Sequence, residues 1–246
     1  MTRALVVALV LLASPATARA DDVSAGQMTH LAEGTIGPYR VGFNVTEQDH
    51  ATVTAAHYYY ASTGTDIPLR VSGPGDALSM DEPGGGHFEL HLTNADAKEP
   101  RPLTFYTATG LAGTWTRNGR TLPVTLGFSA GYDGTGPARW YADVTDEAPA
   151  AFEARVRNFL KGILSGNRAQ AAAAVSYPLT VNGAPRQVIR TRAQFLSRWP
   201  SLFTPAALAS LRTAIPHEMF VRDGMAMVAS GAVWFDARGA KVLNLP

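Results

Sequence analysis

An all-β domain followed by an α+β domain is the fold class predicted for this 246-residue chain, on three observations. From Thr35 to Phe128 the sequence runs in short alternating bursts broken by Gly, Pro, Asn or Asp, with no helix-length repeat. From Pro149 onward apolar residues recur every three or four positions, the period of a helix, before short β-rich runs return. Between the two lies a stretch, 131–148, rich in Gly, Asp, Pro and Ala, and across it the charge changes sign. Residues 21–146 carry fifteen acidic and seven basic side chains; residues 147–246 carry five and twelve. Such a split predicts two units with different surfaces, 35–130 and 149–246, joined by 131–148 and preceded by a lead over 21–34.

The elements of the first unit follow from the two-residue period of a strand. Val41, Phe43 and Val45 share one face, and Glu47 to His50 turn the chain. Ala51–Ala61, Ile67–Val71, Ala77–Asp81, His87–Leu92, Leu103–Tyr106, Leu111–Thr116 and Thr121–Phe128 are the further runs. Ser72-Gly73-Pro74-Gly75, Pro83-Gly84-Gly85-Gly86 and Asn118-Gly119 separate them, the last being the strongest short hairpin signal because both residues accept positive φ. Evenly spaced short strands predict a meander barrel or a sandwich. Tyr58-Tyr59-Tyr60, Ile67-Pro68-Leu69, Gly113-Thr114-Trp115 and Leu122-Pro123-Val124 loosely resemble β-rich modules of exported bacterial proteins, which implies an architecture and no activity.

In the second unit, Phe152, Val156, Phe159, Leu160 and Ile163 form one apolar stripe on a helix from Pro149 to Leu164. Asn167 caps a short helix to Ala174, because its side-chain oxygen accepts from an orphan amide. A hairpin turns at Asn182-Gly183 between Ser176–Val181 and Val188-Ile189. Thr191 caps a helix bearing Phe195, Leu196 and Trp199, and Thr204-Pro205 opens another to Ala214. Strands are predicted at His217–Val221, Met225–Ala229, Ala232–Phe235 and Lys241–Leu245.

This order, with Phe159-Leu160, Val175-Ser176-Tyr177-Pro178-Leu179, Arg192-Ala193-Gln194-Phe195, Phe203-Thr204-Pro205 and Gly231-Ala232-Val233-Trp234-Phe235, resembles the NTF2-like (SnoaL-like) superfamily of exported bacterial proteins. The resemblance covers the last hundred residues. It implies a curved sheet wrapped round helices, leaving a conical pocket that in enzymatic members, the ketosteroid isomerases and scytalone dehydratase, holds carboxylates, Tyr or His. Tyr177, Trp199, His217, Trp234 and Asp236 are the candidate ligand-binding residues for such a pocket. Tyr177 with Asp236 has the chemistry to polarise a carbonyl and move a proton, although Asp236 also suits the turn that follows it.

The N-terminus has the pattern of a cleavable secretory signal. Arg3 supplies the positive region, Ala4–Ala13 the apolar core, and Ala18-Arg19-Ala20 the small-x-small cleavage pattern, which places cleavage near Ala20. The apolar run is too short to span a bilayer, which takes about twenty residues. The expected location is therefore periplasmic or extracellular, with no transmembrane segment. The sequence contains no cysteine, which excludes disulfides, thiol chemistry and Cys-ligated metals.

Other motifs are sparse. His87, Glu89 and His91 share one face of a strand, and with His57 they are weak candidates for a metal site; none is favoured, because Phe88, Leu90 and Leu92 mark the other face as core. In the tyrosine run, neighbours must point to opposite faces, so one is expected in the core and another exposed, with packing that leaves a hydroxyl at the surface favoured over sugar or protein recognition. Asn44-Val45-Thr46 matches a glycosylation sequon but sits in a bacterial-looking composition. No nucleophile elbow, phosphate loop, zincin or nucleotide motif is present, scattered arginines speak against nucleic acid, and no cofactor is implied. The expected function is non-enzymatic binding of a small ligand or an envelope protein partner. Its rivals are an isomerase, dehydratase or hydrolase in the C-terminal cone, and an inhibitor of a cell-wall hydrolase.

Overall fold

The computed structural model describes residues 26–72, 78–94, 103–183 and 185–244. The expected signal peptide and its cleavage site lie outside the described residues, as does the turn at 72–75 beyond Ser72.

Eight antiparallel strands close into a barrel in the order in which they occur: β1 (Gln27–Ile36), β2 (Tyr39–Gln48), β3 (Thr52–Tyr60), β4 (Ile67–Ser72), β5 (Leu78–Asp81), β6 (His87–Thr93), β7 (Gly110–Arg117) and β8 (Arg120–Asp133). Of the two architectures open to the sequence, the barrel is the one formed. Closure comes from β8 pairing back onto β1, from Met28↔Asp133 to Ile36↔Val124. The strands approach closely there: a Cβ on Gly34 would overlap the Thr125 carbonyl, so this position takes glycine. Asn118 and Gly119 both have positive φ, 51° and 75°, and make the tight β7–β8 hairpin.

Val41, Phe43 and Val45 point inward as the alternation predicts, with Tyr58, Met80, Phe88, Leu90, Leu111, Val124 and Leu126. The Phe43 ring meets Phe88 edge-on at 5.7 Å and stacks on Tyr58 at 6.2 Å. The interior is packed with side chains, as an eight-stranded barrel of this size allows.

The second unit comprises α1 (Pro149–Leu164), α2 (Arg168–Ala173), β9 (Val175–Val181), β10 (Gln187–Ile189), α3 (Arg192–Ser197), α4 (Trp199–Leu202), α5 (Pro205–Leu211), β11 (Val221–Arg222), β12 (Met225–Val228), β13 (Val233–Asp236) and β14 (Gly239–Leu243). Its six-stranded sheet has the order β10-β9-β14-β13-β12-β11, and only the β9–β14 pair is parallel. The expected stripe of α1 is buried along its whole length. Phe159 packs edge-on against Phe235 of the sheet, 5.4 Å between ring centres. Asn167, Thr191 and Thr204 accept bonds from the amides of Gln170, Gln194 and Ala207, so each cap forms where the sequence places it. No described helix is long and apolar enough to cross a membrane.

Three segments differ from expectation. β1 occupies most of the segment expected as a lead; its inward row His30, Ala32, Gly34, Ile36 holds one large apolar residue and so carries little hydrophobic period. Leu103–Tyr106 forms a turn that plugs the barrel end with Phe105, whose amide bonds the His50 carbonyl at 3.0 Å. His217–Phe220 is irregular, and only Val221–Arg222 pairs, because Glu218 takes a left-handed φ of 46°. The expected linker is also partly structured: β8 extends to Asp133, and Tyr141 is buried with its hydroxyl donating to Glu153 at 2.8 Å.

At the Phe105 end, Glu47 is fully buried, and its carboxylate lies 3.4 Å from the His30 ring and 3.2 Å from the His50 ring. His30 is also sandwiched by Phe105 and Phe128. Burial pulls the His30 imidazole below its ordinary 6.5, and the bond to Glu47 only partly offsets this. A depressed folded value means the unfolded chain binds the extra proton first. Stability is then complete above 6.5 and falls as pH drops from there toward the folded value. Urea unfolding at several pH values between about 5 and 6.5 should show that loss in the wild type and a shallower one in His30→Gln. Equal slopes would contradict this account.

Candidate functional site

The turns joining β1 to β2, β3 to β4, β5 to β6 and β7 to β8 gather at one end of the barrel, where a cavity of about 630 Å³ opens. Tyr39, Tyr60, Trp115 and Leu122 give it apolar walls, and Arg117, Arg120 and Asn118 of the β7–β8 hairpin give it a cationic, polar rim. No carboxylate is among the described lining residues. Its walls are held from beneath by Glu82, buried at the start of the Pro83–Gly86 turn. One Glu82 oxygen accepts from the Trp115 indole and from the Tyr58 hydroxyl, each at 2.6 Å. Tyr60 rests edge-on against both Tyr58, at 5.5 Å, and Tyr39, at 5.9 Å. Gly86 leaves room for this arrangement, since a Cβ there would overlap the Glu82 carboxylate. Burial and the Glu82 bond push the Tyr58 phenol far above its ordinary range, so it stays protonated and donating.

The second polar region is the seam where the C-terminal unit covers the outer wall of β1, β2 and β3. Alternation sends Asn44, His57 and Tyr59 to that wall. Residues 41–47 of β2 are consequently buried on both faces. The Tyr59 ring lies over Gly42, stacks edge-on against His217 at 4.4 Å, and donates its hydroxyl to the His217 carbonyl at 3.1 Å. Arg40 bonds the carbonyls of Arg212 and Thr213. His57 lies 2.7 Å from Glu218, which also accepts from the Asn44 amide. His217 bridges Asp66 and Glu153, 3.1 Å from each.

Burial alone would lower both imidazoles, but their carboxylates prevail. Glu218 and Asp66 hold His57 above its ordinary value, and Glu153 and Asp66 raise His217 to about 9. Burial would raise the Glu153 carboxyl, but His217 and Tyr141 hold it low. Beside the seam, a cleft of about 540 Å³ is lined by Arg40, Arg157, Lys161, Arg212 and His217 over a floor of Leu160, Leu211 and Ile215. Ser62 borders both this cleft and the barrel-mouth cavity.

The residues singled out for a C-terminal pocket are dispersed. Trp199 is packed among Phe195 and Phe203, with Arg168 over its face at 5.7 Å. Tyr177 packs on the same core and donates to the Ala172 carbonyl at 3.3 Å. Asp236 accepts from Ser176 at 2.6 Å and from the amides of Arg238 and Gly239, which makes it a turn cap. Trp234 lies on the sheet face opposite Val233 and Phe235. His217 alone joins the seam.

Of the metal candidates, His87 binds Asp81 and Glu89 through opposite ring nitrogens, 2.7 Å each, so those carboxylates do not converge on one point. His91 is exposed, and His57 faces the seam, away from the other three. Glu82, Arg117, Arg120, Asn44, Glu153 and Glu218 were not legible as site residues. The available signals were the arginines flanking the Asn118-Gly119 hairpin and a glutamate just before a glycine turn.

Because Tyr59 is wedged between Gly42 and His217, Gly42→Ala should push the ring out of the seam. The cost should be about 1–3 kcal/mol by chemical denaturation. Gly127→Ala, where an added Cβ meets nothing within 4 Å, should stay within about 0.5 kcal/mol of wild type or gain slightly. Similar losses at both sites would mean that strand pairing, and not the seam, is being disturbed.

No family model matches the chain, and neither does any curated protein or solved structure.

Proposed function

We propose that this chain is an exported binding protein that takes a flat, apolar ligand bearing an anionic group at the mouth of its barrel. The observation carrying this reading is the aromatic cavity under two arginines with its indole wall pinned by Glu82. A cavity of this volume suits a drug-sized molecule, and barrel mouths are a recurrent place for such sites. Aromatic walls supply contact area, and the guanidinium groups supply charge recognition. Pre-positioned walls lower the ordering cost of binding. Export rests on the Arg3, Ala4–Ala13 and Ala18-Arg19-Ala20 pattern.

The NTF2-like reading of the C-terminal unit is supported by two helices preceding a six-stranded sheet whose last strand runs parallel to its first. For the enzymatic rival, Tyr177 and Asp236 are each engaged in structural bonds, and Phe159, Phe195, Trp199 and Phe203 fill the core between helices and sheet. Binding is therefore the reading we favour over catalysis.

The probe for the test is 1-anilinonaphthalene-8-sulfonate, an aromatic anion whose fluorescence rises on entering an apolar site. It should bind the wild-type chain saturably. Trp115→Ala and the double variant Arg117→Ala/Arg120→Ala should each weaken binding by about tenfold or more, some 1.4 kcal/mol per factor of ten. Arg212→Ala in the seam cleft should leave it unchanged. Binding that is indifferent to Trp115 and the two arginines would sink the barrel-mouth reading.

A further inference from the structure

We infer that His57, Asp66 and Glu218 form a divalent metal site of the zinc class, spanning the seam between the two units. The three donor atoms, one imidazole nitrogen and two carboxylate oxygens, all lie within 4.8 Å of one another. The His57 nitrogen is 2.7 Å from Glu218 and 4.0 Å from Asp66. A tetrahedral ion about 2.1 Å from each ligand needs donors about 3.4 Å apart, between those two distances. Seating it asks each His57 distance to change by less than an ångström and the Asp66–Glu218 separation, within 4.8 Å, to close by at most about 1.4 Å. The donor set fits the ion chemically, since imidazole and carboxylate suit zinc and its first-row neighbours. Two carboxylates with a neutral imidazole also balance a divalent charge.

A second observation points to an occupant. Asn44 is 3% exposed and donates to Glu218, yet its amide oxygen is buried with no hydrogen-bond partner among the described residues. Buried acceptors are rarely left without a donor. The nitrogen of the same amide faces Glu218 and His57 Nε2, so the orphaned oxygen sits beside the triangle, and water bound to a cation there supplies the donor it lacks. Around the ligands, the expected supporting shell is in place: Asn44 on Glu218, and His217, itself on Glu153, against Asp66. Glu218 comes from the C-terminal unit, and His57 and Asp66 from the barrel, so a bound ion ties the two units together. The site lies apart from the barrel mouth and does not depend on the ligand proposed there.

The test uses the full chain, stripped of metal by chelator, with Co(II) as spectroscopic probe and Zn(II) as competitor. One equivalent of Co(II) should produce visible d–d bands that Zn(II) abolishes. Zn(II) at about a hundredfold above Kd should raise the melting temperature by roughly 5–10 °C. His57→Ala and Glu218→Gln should remove the bands. Since either could disturb the seam, Asp66→Asn, in the exposed β3–β4 loop and with an amide oxygen still able to accept from His217, is the variant that decides, and it should weaken binding about tenfold or more. His87→Ala should behave as wild type. Absence of saturable Co(II) binding, binding untouched by Asp66→Asn, or binding lost in His87→Ala would each overturn the site and leave these residues an ion-paired interface only.

Discussion

The pairing of β1 with β8 is the constraint on which the rest of this structure depends. It removes both edges of the meander, so every strand has two neighbours and the wall becomes a fixed surface. A fixed wall can be used on both sides. Its inner face holds the apolar core, and the outer faces of β1, β2 and β3 receive the C-terminal unit. The mouth, lined by four connections of two to six residues, is anchored to the same wall. Small residues make the closure possible, for Gly34 admits the Thr125 carbonyl where any side chain would collide.

The seam is built on a different principle. Glu153 and Glu218 are nearly inaccessible, and a buried carboxylate is tolerated only where cations and donors compensate it. Here His57, His217 and Tyr141 do so at 2.7–3.1 Å, and Asn44 donates to Glu218 beside them. Such a network adds little net stability over an apolar interface of the same size, because desolvation offsets the attraction. What it adds is geometry, since Glu218 accepts from particular donors on the barrel and Glu153 orients the His217 that meets Asp66. Arg40 works the same way, fixing the end of α5 through two backbone carbonyls.

Much of the fold was legible because local chemistry decided it. The α1 stripe, the three side-chain caps, the Asn118-Gly119 hairpin and the inward row of β2 are all fixed by residues within a few positions of each other. β1 was not legible, because its inward row of His30, Ala32 and Gly34 is shaped by the opposing strands and not by its own hydrophobicity. The site was less legible still. Trp115 and Glu82 are 33 positions apart, and His57 and Glu218 are 161 apart, so only tertiary closure brings them together. Tyr177 and Asp236 have the chemistry a C-terminal cone would use, but nothing local to them fixes what they face, and the packed structure engages both in structural bonds.

The three consecutive tyrosines show how both surfaces come from one strand. The two-residue period sends Tyr58 and Tyr60 inward, where one binds Glu82 and the other walls the mouth. The same period sends His57 and Tyr59 outward to Glu218 and His217. A slip of one residue in the register of β3 would exchange these sets, placing an imidazole in the barrel core and stripping the seam of its ring contact. The register is held against that slip by the pairs Phe43↔Tyr58 and Asn44↔His57. Each joins residues with the same surroundings, apolar with apolar and polar with polar. The alternation of β3 therefore specifies the mouth and the seam together, and neither can be altered by register without losing the other.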